Sequence, residues 1–489
     1  MTEEVKVEVT DAGRDVTPTL VDDVAVVNVG LPMFADAVAA QGRPVATVDW
    51  RIPAGGEPEL VAALARLYGR RSRPVDAANV EVVRRLDEGV PHLVDVAPAG
   101  SVVPGFGDRT LLHCGPPLDY AEACDPLRRS MRAAVVAEGW AATRDEAERM
   151  LGRGEVALDA ANSHDLVVPM VTALGPSQPV WVAALQGSVT AFAPLNQGPG
   201  ETPWFGRETD TAIDRLRFLA GAVGPVIADA LRAHGPIDAL GLAAQGVQMG
   251  DDAHIRVQAT TNLLLRNLLP HLVASDHPAR VEVARFLSSN HLFFLTAGMA
   301  AARALAGWAA EVPGSSIVTT MARNGTELGI KLAGSDEWHL TDAPTIGQAL
   351  YYAGQGPDTS ARDVGDSAVL ELVGLGGAAA AGSPSVAAFV GGSMSDALAM
   401  TTQLDLICAG RSSRFKLPAL GWRGTPLGVD VRKVVELGIT PKVTTGILHA
   451  SEGTGQVGAG VATAPIECFR TALLALDRAI DRDGARGAR

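Results

Sequence analysis

The stretch His449-Ala-Ser-Glu-Gly-Thr-Gly-Gln-Val-Gly-Ala-Gly460 constrains the fold of this chain more than any other. A β-branched run (Val443, Thr444, Thr445, Ile447) precedes it. Ile466, Phe469, Leu473, Leu476 and Ile480 follow at steps of 3, 4, 3 and 4, which puts them on one stripe of a helix. Pro465 stands near the start of that helix, where a missing N–H costs nothing. The segment is therefore expected to be a loop leading from a strand to a helix N-terminus. Gly453, Gly455, Gly458 and Gly460 remove the Cβ atoms that would hold a ligand off. Bare N–H groups around Gln456, backed by a helix dipole, would then bind an anion. The competing reading is a tight buried turn that needs glycine for its own sake, since the spacing matches neither a P-loop nor a dinucleotide consensus.

At 489 residues the chain is too long for one core. Its 47% hydrophobic and 20% charged content is that of a globular protein. A net charge of −14 argues against a nucleic-acid partner, because phosphate neutralisation needs a basic face. Aromatic residues make up only 4%, too few for base-stacking platforms. Cys114, Cys124, Cys408 and Cys468 form no CxxC pair and no zinc spacing. Reduced, mostly buried thiols, no metal and no cofactor are expected. The acidic start Met-Thr-Glu-Glu-Val-Lys has no apolar signal core, so a cytoplasmic location is expected. The uncharged run Leu372–Ser395 is long enough to span a bilayer, but its glycines, proline and serines favour buried strands and turns. No membrane association is expected.

The organisation reads as α/β. Residues 1–200 are expected to form a Rossmann-like domain. It opens with a strand Val24–Val29, a helix Pro32–Gln41 and a strand Pro44–Asp49. The helix Pro58–Tyr68, strands Leu93–Val96, Thr110–His113 and Val180–Leu185, and a helix Arg128–Leu151 follow. Residues 201–312 form a helical domain with Asp210–Leu231, Arg256–His271 and Pro278–Leu305. Residues 313–489 form an α/β C-terminal domain that holds the glycine loop. Its strands include Ile317–Met321, Val369–Val373 and Ala387–Val390.

Several clusters have chemical potential. Asp251, Asp252, His254 and Arg256 gather at the start of a long helix. The two acids suit its N-terminus as caps, whereas His and Arg there need another reason. Arg323, Asn324, Thr326 and Glu327 share one turn, where arginine offers a planar fork for a carboxylate or phosphate. Asn-Gly is equally an ordinary turn. Arg423 and Thr425 sit in Gly-Trp-Arg-Gly-Thr-Pro, with a surface turn as the alternative. Asn290 and His291 interrupt an apolar helix, and His164 lies in a polar loop; a satisfied structural histidine is the plainer reading of each. Gly374-Leu-Gly-Gly is a weak relative of a dinucleotide loop, and no G-x-S-x-G elbow appears.

Eight motifs in order resemble one family. They are Asn28-Val-Gly, Val48-Asp-Trp-Arg-Ile-Pro-Ala-Gly-Gly56, Leu112-His-Cys-Gly-Pro-Pro117, Met249-Gly-Asp-Asp, Ala322-Arg-Asn-Gly-Thr-Glu327, Val373-Gly-Leu-Gly376, Trp422-Arg-Gly-Thr-Pro426 and Gly453-Thr-Gly-Gln-Val-Gly-Ala-Gly460. The chain resembles the YlbE/YahG/AllG family over about residues 24–477. The resemblance implies a partner subunit like FdrA, a relative of acyl-CoA synthetases. It also implies oxamate carbamoyltransferase chemistry, in which oxalurate and phosphate give oxamate and carbamoyl phosphate. The family pattern has glutamate at Gln197 and Asp252, lysine at Glu201, and asparagine at Ile255 and Val257. This is a divergent member. On this reading Arg323 and Arg423 grip the anion, the 453–460 loop donates N–H groups, and His254 or His449 moves the proton. A homo-oligomer acting on a small anionic substrate (phosphate, carbamoyl phosphate or a ureido acid) is expected. A non-catalytic scaffold for an FdrA-like partner, or an acyl-CoA-binding protein, remains as the alternative.

Overall fold

The largest sheets are antiparallel. The computed structural model describes residues 26–48, 52–185, 189–390 and 392–487. One four-stranded sheet has the order Thr190–Pro194, Pro179–Leu185, Pro91–Pro98, Ile237–Asp238, and a second has His339–Asp342, Glu327–Leu332, Val318–Asn324, Val364–Gly365. Among the described residues, parallel strand pairs are Val26–Val29 with Val45–Val48 and Thr110–His113 with Ala157–Ala160, beside an isolated parallel bridge between Leu166 and Phe192. The Rossmann-like pattern expected over residues 1–200 is represented among the described residues by these two parallel pairs, within a mixed α/β fold.

Two compact units are present, Met1–Ile52 and Pro53–Arg489. In the first, the parallel strands flank the helix Pro32–Ala40, and Asn28 donates to the Leu31 carbonyl at the turn. Val24, Asp49, Trp50 and Arg51 lie outside the described residues. In the second, one core cluster runs from Val82 to Leu448 and draws side chains from either side of residues 200 and 312. At its centre is the helix Phe294–Ala310, buried at every residue from Phe294 to Ala306. Its alanines and glycine let neighbouring strands and helices approach closely.

Local chemistry explains where elements end. Pro58–Tyr68 forms as its spacing predicts, with proline in its first turn. The expected helix Arg128–Leu151 is two helices, Asp125–Ala137 and Arg144–Gly152. Gly139 turns left-handed between them, and Thr143 caps the second through the Glu146 N–H. Asp210–Leu231 is interrupted by a π turn, Leu219–Val223, just before Pro225, whose missing N–H breaks the ladder. Pro278–Leu305 bends by 82° between Arg280–Ser289 and Phe294–Ala310. That bent pair has the length and apolarity of a span, but no single described helix does.

Three expectations need correction. Val369–Val373 is a helical turn, Val369–Leu372, and Ala387–Val390 belongs to the helix Pro384–Val390. Residues 372–383 are mostly buried, but in helical turns rather than strands. Short apolar runs do not distinguish the two states. The third correction concerns the glycine segment. Gln456–Thr463 is itself a strand, the middle one of a sheet between Ile346–Tyr351 and Lys442–Leu448. Gly458 and Gly460 are strand residues; a Cβ on Gly458 would stand 2.6 Å from the Leu350 carbonyl oxygen. The following helix begins at Ile466, so its dipole does not back the turn.

Candidate functional site

A short turn sets the site. Between helices Ala239–Gln248 and Gln258–Ala274, the Asp252 carboxylate accepts N–H bonds from His254 (3.0 Å), Arg256 (2.7 Å) and Ile255 (3.4 Å). These three bonds fix the direction in which His254 points. Asp251 caps the second helix instead, accepting from the Thr260 N–H and hydroxyl, both at 2.8 Å. Arg256 lies 3.5 Å from Asp251. These two residues hold the turn together.

The His254 ring is buried, with Nδ1 2.8 Å from Glu371 Oε1 and 3.2 Å from the Thr444 hydroxyl. Glu371 Oε1 also accepts from the Thr444 and Gly377 N–H groups, while Oε2 is buried without a partner. A carboxylate at Nδ1 makes that nitrogen the donor, which leaves Nε2 as a lone-pair acceptor in neutral His254. Burial raises the Asp252 carboxyl above its usual range, against the pull of His254.

His254 lines the inner end of a cleft, with Ser367, Gly446, Pro169, Met170 and Leu295. Its narrow floor of about 70 Å³ opens into a mouth of about 620 Å³. Trp204, Phe205, Ile255, Leu292, Gln456 and Ala459 line both parts. Asn290, His291, Glu201, Arg207, Leu350, Tyr352 and Gly455 surround the mouth. Asn290 also closes the helix bend, through the Leu292 N–H and the Asn196 carbonyl. Gln197 accepts from the Trp204 N–H and so sets one wall.

The structure therefore brings His254, Asn290, His291, Gly455 and Gln456 to one cleft and leaves the other candidates outside it. Arg323 is fully buried; Nε and Nη2 bind Asp363 at 2.8 and 3.2 Å, and Nη1 binds the Gly365 carbonyl at 2.6 Å. It has no fork to offer a ligand. Asn324 closes its hairpin through the Thr326 and Glu327 N–H groups, and Thr326 donates to the Glu122 carbonyl. Burial lifts the Glu327 carboxyl, helped by nearby Glu122 and Asp342. Arg423 is exposed beside Asp405, at 3.3 Å, and Thr425 packs under Gly374. Neither arginine lines the cleft.

The glycine turn also faces differently from expectation. His449 Nδ1 accepts the Ser451 and Glu452 N–H groups, so this ring caps the turn. The Ser451 and Thr454 carbonyls accept from Arg129 (2.8 Å) and Arg207 (2.7 Å). The turn shows carbonyls to arginines rather than N–H groups to an anion. Gly453 has a left-handed φ of +63°, which favours glycine, and a Cβ there would also push the Arg129 guanidinium aside. His164 bonds Asp159 and the Pro104 carbonyl, as a loop histidine does.

Two residues were missed from sequence, Glu371 and Arg207. The signal for Glu371 was a lone acid inside Val369-Leu-Glu-Leu-Val373; nothing local marked Arg207. The four cysteines are free, and burial pushes their thiols up, Cys124 to about 11 and Cys468 to about 12. None is set up as a thiolate nucleophile. Among the described residues, no group of three His, Cys, Asp or Glu side chains is placed to hold a metal.

A buried carboxylate–histidine pair at the end of a cleft, set in an α/β fold, is the arrangement of a small-molecule site. Residues 156–367 match the family model described as oxamate carbamoyltransferase subunit AllG. The chain is 36% identical over 408 residues to the oxamate carbamoyltransferase subunit AllG of Escherichia coli K12, covering 82% of this chain and 97% of that protein. It is 32% identical over 455 residues to YahG of the same strain, titled an uncharacterized protein, with 92% and 96% covered. A crystal structure of a conserved protein of unknown function from Enterococcus faecalis V583 superposes with a TM-score of 0.81 at 32% identity, covering 84% of this chain and 98% of that one. The chain belongs to the AllG/YahG family.

Proposed function

We propose that this chain is a subunit of a carbamoyltransferase-type enzyme and that its cleft is where the carbamoyl group changes hands. The reaction moves the group between a ureido or amide nitrogen and phosphate. A phosphate oxygen attacks the carbamoyl carbon, the C–N bond breaks, and the proton carried by the phosphate ends on the leaving nitrogen. His254 Nε2 is the group that accepts and returns that proton, while Glu371 holds the ring's orientation and tautomer. Ser367, buried and lining the same floor as His254, is available to the carbamoyl group. The carrying observation is the 2.8 Å Glu371–His254 contact at the closed end of the cleft. The names of the relatives support the reaction class.

The test is a carbamoyl-transfer assay of the assembled complex with ureido acids and phosphate. His254→Gln is expected to lower kcat on the order of 10²–10⁴, with the melting temperature kept. Glu371→Gln should lower kcat and shift the pH profile. Rates within a few-fold of wild type in both variants would reject the proposal.

One observation favours the scaffold alternative: Arg207, the one guanidinium lining the cleft among the described residues, is occupied by Glu201. If the chemistry belongs to an FdrA-like partner, that partner alone should turn over at the rate of the complex, and His254→Gln should change nothing.

A further inference from the structure

The cleft mouth has an internal counter-ion. Arg207 Nη2 donates to Glu201 Oε1 at 2.6 Å, and Nη1 donates to the Thr454 carbonyl at 2.7 Å. Its Nε is buried without a partner. The Thr209 hydroxyl donates to Glu201 Oε2 at 2.6 Å while capping the next helix through the Ala212 N–H. Glu201 is therefore held in place from both oxygens. The Thr209 hydrogen bond and the adjacent Arg207 charge keep its carboxyl below the usual range, so it is ionised at neutral pH. A ligand arriving at the mouth meets a neutralised guanidinium with a carboxylate beside it. Ile255, Leu350 and Tyr352 make one side of the wall apolar, the last two more than half exposed, while Asn290, His291 and Gln456 make the other side polar. A second carboxylate on the ligand would lie near Glu201, while among the described residues of the mouth Arg207 is already paired and His291 is the other side chain able to carry a positive charge. Glu201 keeps 40% of its side chain in solvent, so the repulsion is screened, but like charges at the mouth still discriminate between ligands.

We infer that Glu201 sets the substrate class of this cleft: a ureido compound whose far end is uncharged and apolar, rather than one ending in a carboxylate. This rests on the cleft being the carbamoyl site, and it extends that reading from reaction to substrate. Glu201 is a specificity-determining residue here, acting through Arg207.

The test is calorimetric binding to the full-length chain of butylurea and of its ω-carboxylate analogue, ureidobutyrate. Wild type is expected to prefer butylurea. Glu201→Gln leaves Nη2 without its anion and should move the preference toward ureidobutyrate by about tenfold. Ile255→Asn keeps the ion pair and should weaken butylurea several-fold while leaving ureidobutyrate nearly unchanged. The inference is overturned if wild type prefers ureidobutyrate, if neither probe binds saturably, or if Glu201→Gln, folded by its thermal melt, leaves the ratio of affinities unmoved. Binding is read without turnover. A charge preference with no transfer in the complex would therefore sink the proposed reaction alone, and transfer without the preference would sink this inference alone.

Discussion

Asp366 shows how much one buried carboxyl can hold. Its oxygens accept the Gly115 N–H at 2.7 Å and the Val168 N–H at 3.0 Å, tying two loops to the turn beside the cleft floor. Burial pushes its pKa up to about 7, against the pull of those N–H groups and of Arg323. The unfolded chain releases this proton near 3.8. Between about pH 4 and about pH 7 the native state therefore binds more protons than the unfolded state, and stability falls as pH rises through that window. Asp366→Asn cannot ionise. Its melting temperature relative to wild type should climb across that window and level off above it. Thermal melts of both proteins at a series of pH values check this, and a flat or falling difference would contradict it. At this scale the sequence was informative about Asp251, which caps the helix as expected, and about His254, which stands out at that helix start. It was silent on Glu371, because a contact across 117 positions leaves no periodic trace.

At the level of elements, backbone approach governs what is allowed. Gly115 follows the strand Thr110–His113, with a φ of +80°, and a Cβ there would stand 2.5 Å from the Asn324 nitrogen. Gly115→Ala adds both a strained backbone and a clash with a strand end that cannot yield cheaply. It should cost about 2–4 kcal/mol in denaturant unfolding. A loss below about 0.5 kcal/mol would mean that the Val318–Asn324 strand end moves aside. The glycine segment teaches the same lesson. A β-branched run, a glycine cluster and an amphipathic helix were all legible between residues 443 and 480. A hairpin nonetheless replaced the expected strand–loop–helix. Val457, Val461 and Ala462 are buried against neighbouring strands, and glycine between them permits close strand packing as readily as it opens an anion loop.

For the molecule as a whole, a buried ion cluster joins distant parts of the chain. Arg66 and Arg71 converge on Asp477 from the long C-terminal helix, and Asp477 and Arg71 are both buried. Removing the acid leaves buried Arg71 with the Asp481 carboxylate and the carbonyl of residue 477 as its partners. Asp477→Ala should therefore cost about 1–3 kcal/mol, less than a fully unpaired buried charge. Arg470→Ala, which breaks a solvent-exposed contact with Glu57, should change stability by less than about 1 kcal/mol. Denaturant melts of both variants compare the two, and equal effects would show that burial does not decide the cost.

Periodicity and caps are written in neighbouring residues, so the residue order alone was enough to specify the helix Pro58–Tyr68, the strand Thr110–His113, the apolar stripe after Pro465 and the capping of a long helix by Asp251. It was also enough to place the chain in its family, through eight motifs in order. Only packing in three dimensions could decide that Arg323 belongs to Asp363, that Arg207 faces the cleft against Glu201, and that Glu371 stands behind His254. The reason is energetic: a buried charge takes whichever partner the fold brings within hydrogen-bond reach, and that choice depends on distance in space rather than along the chain.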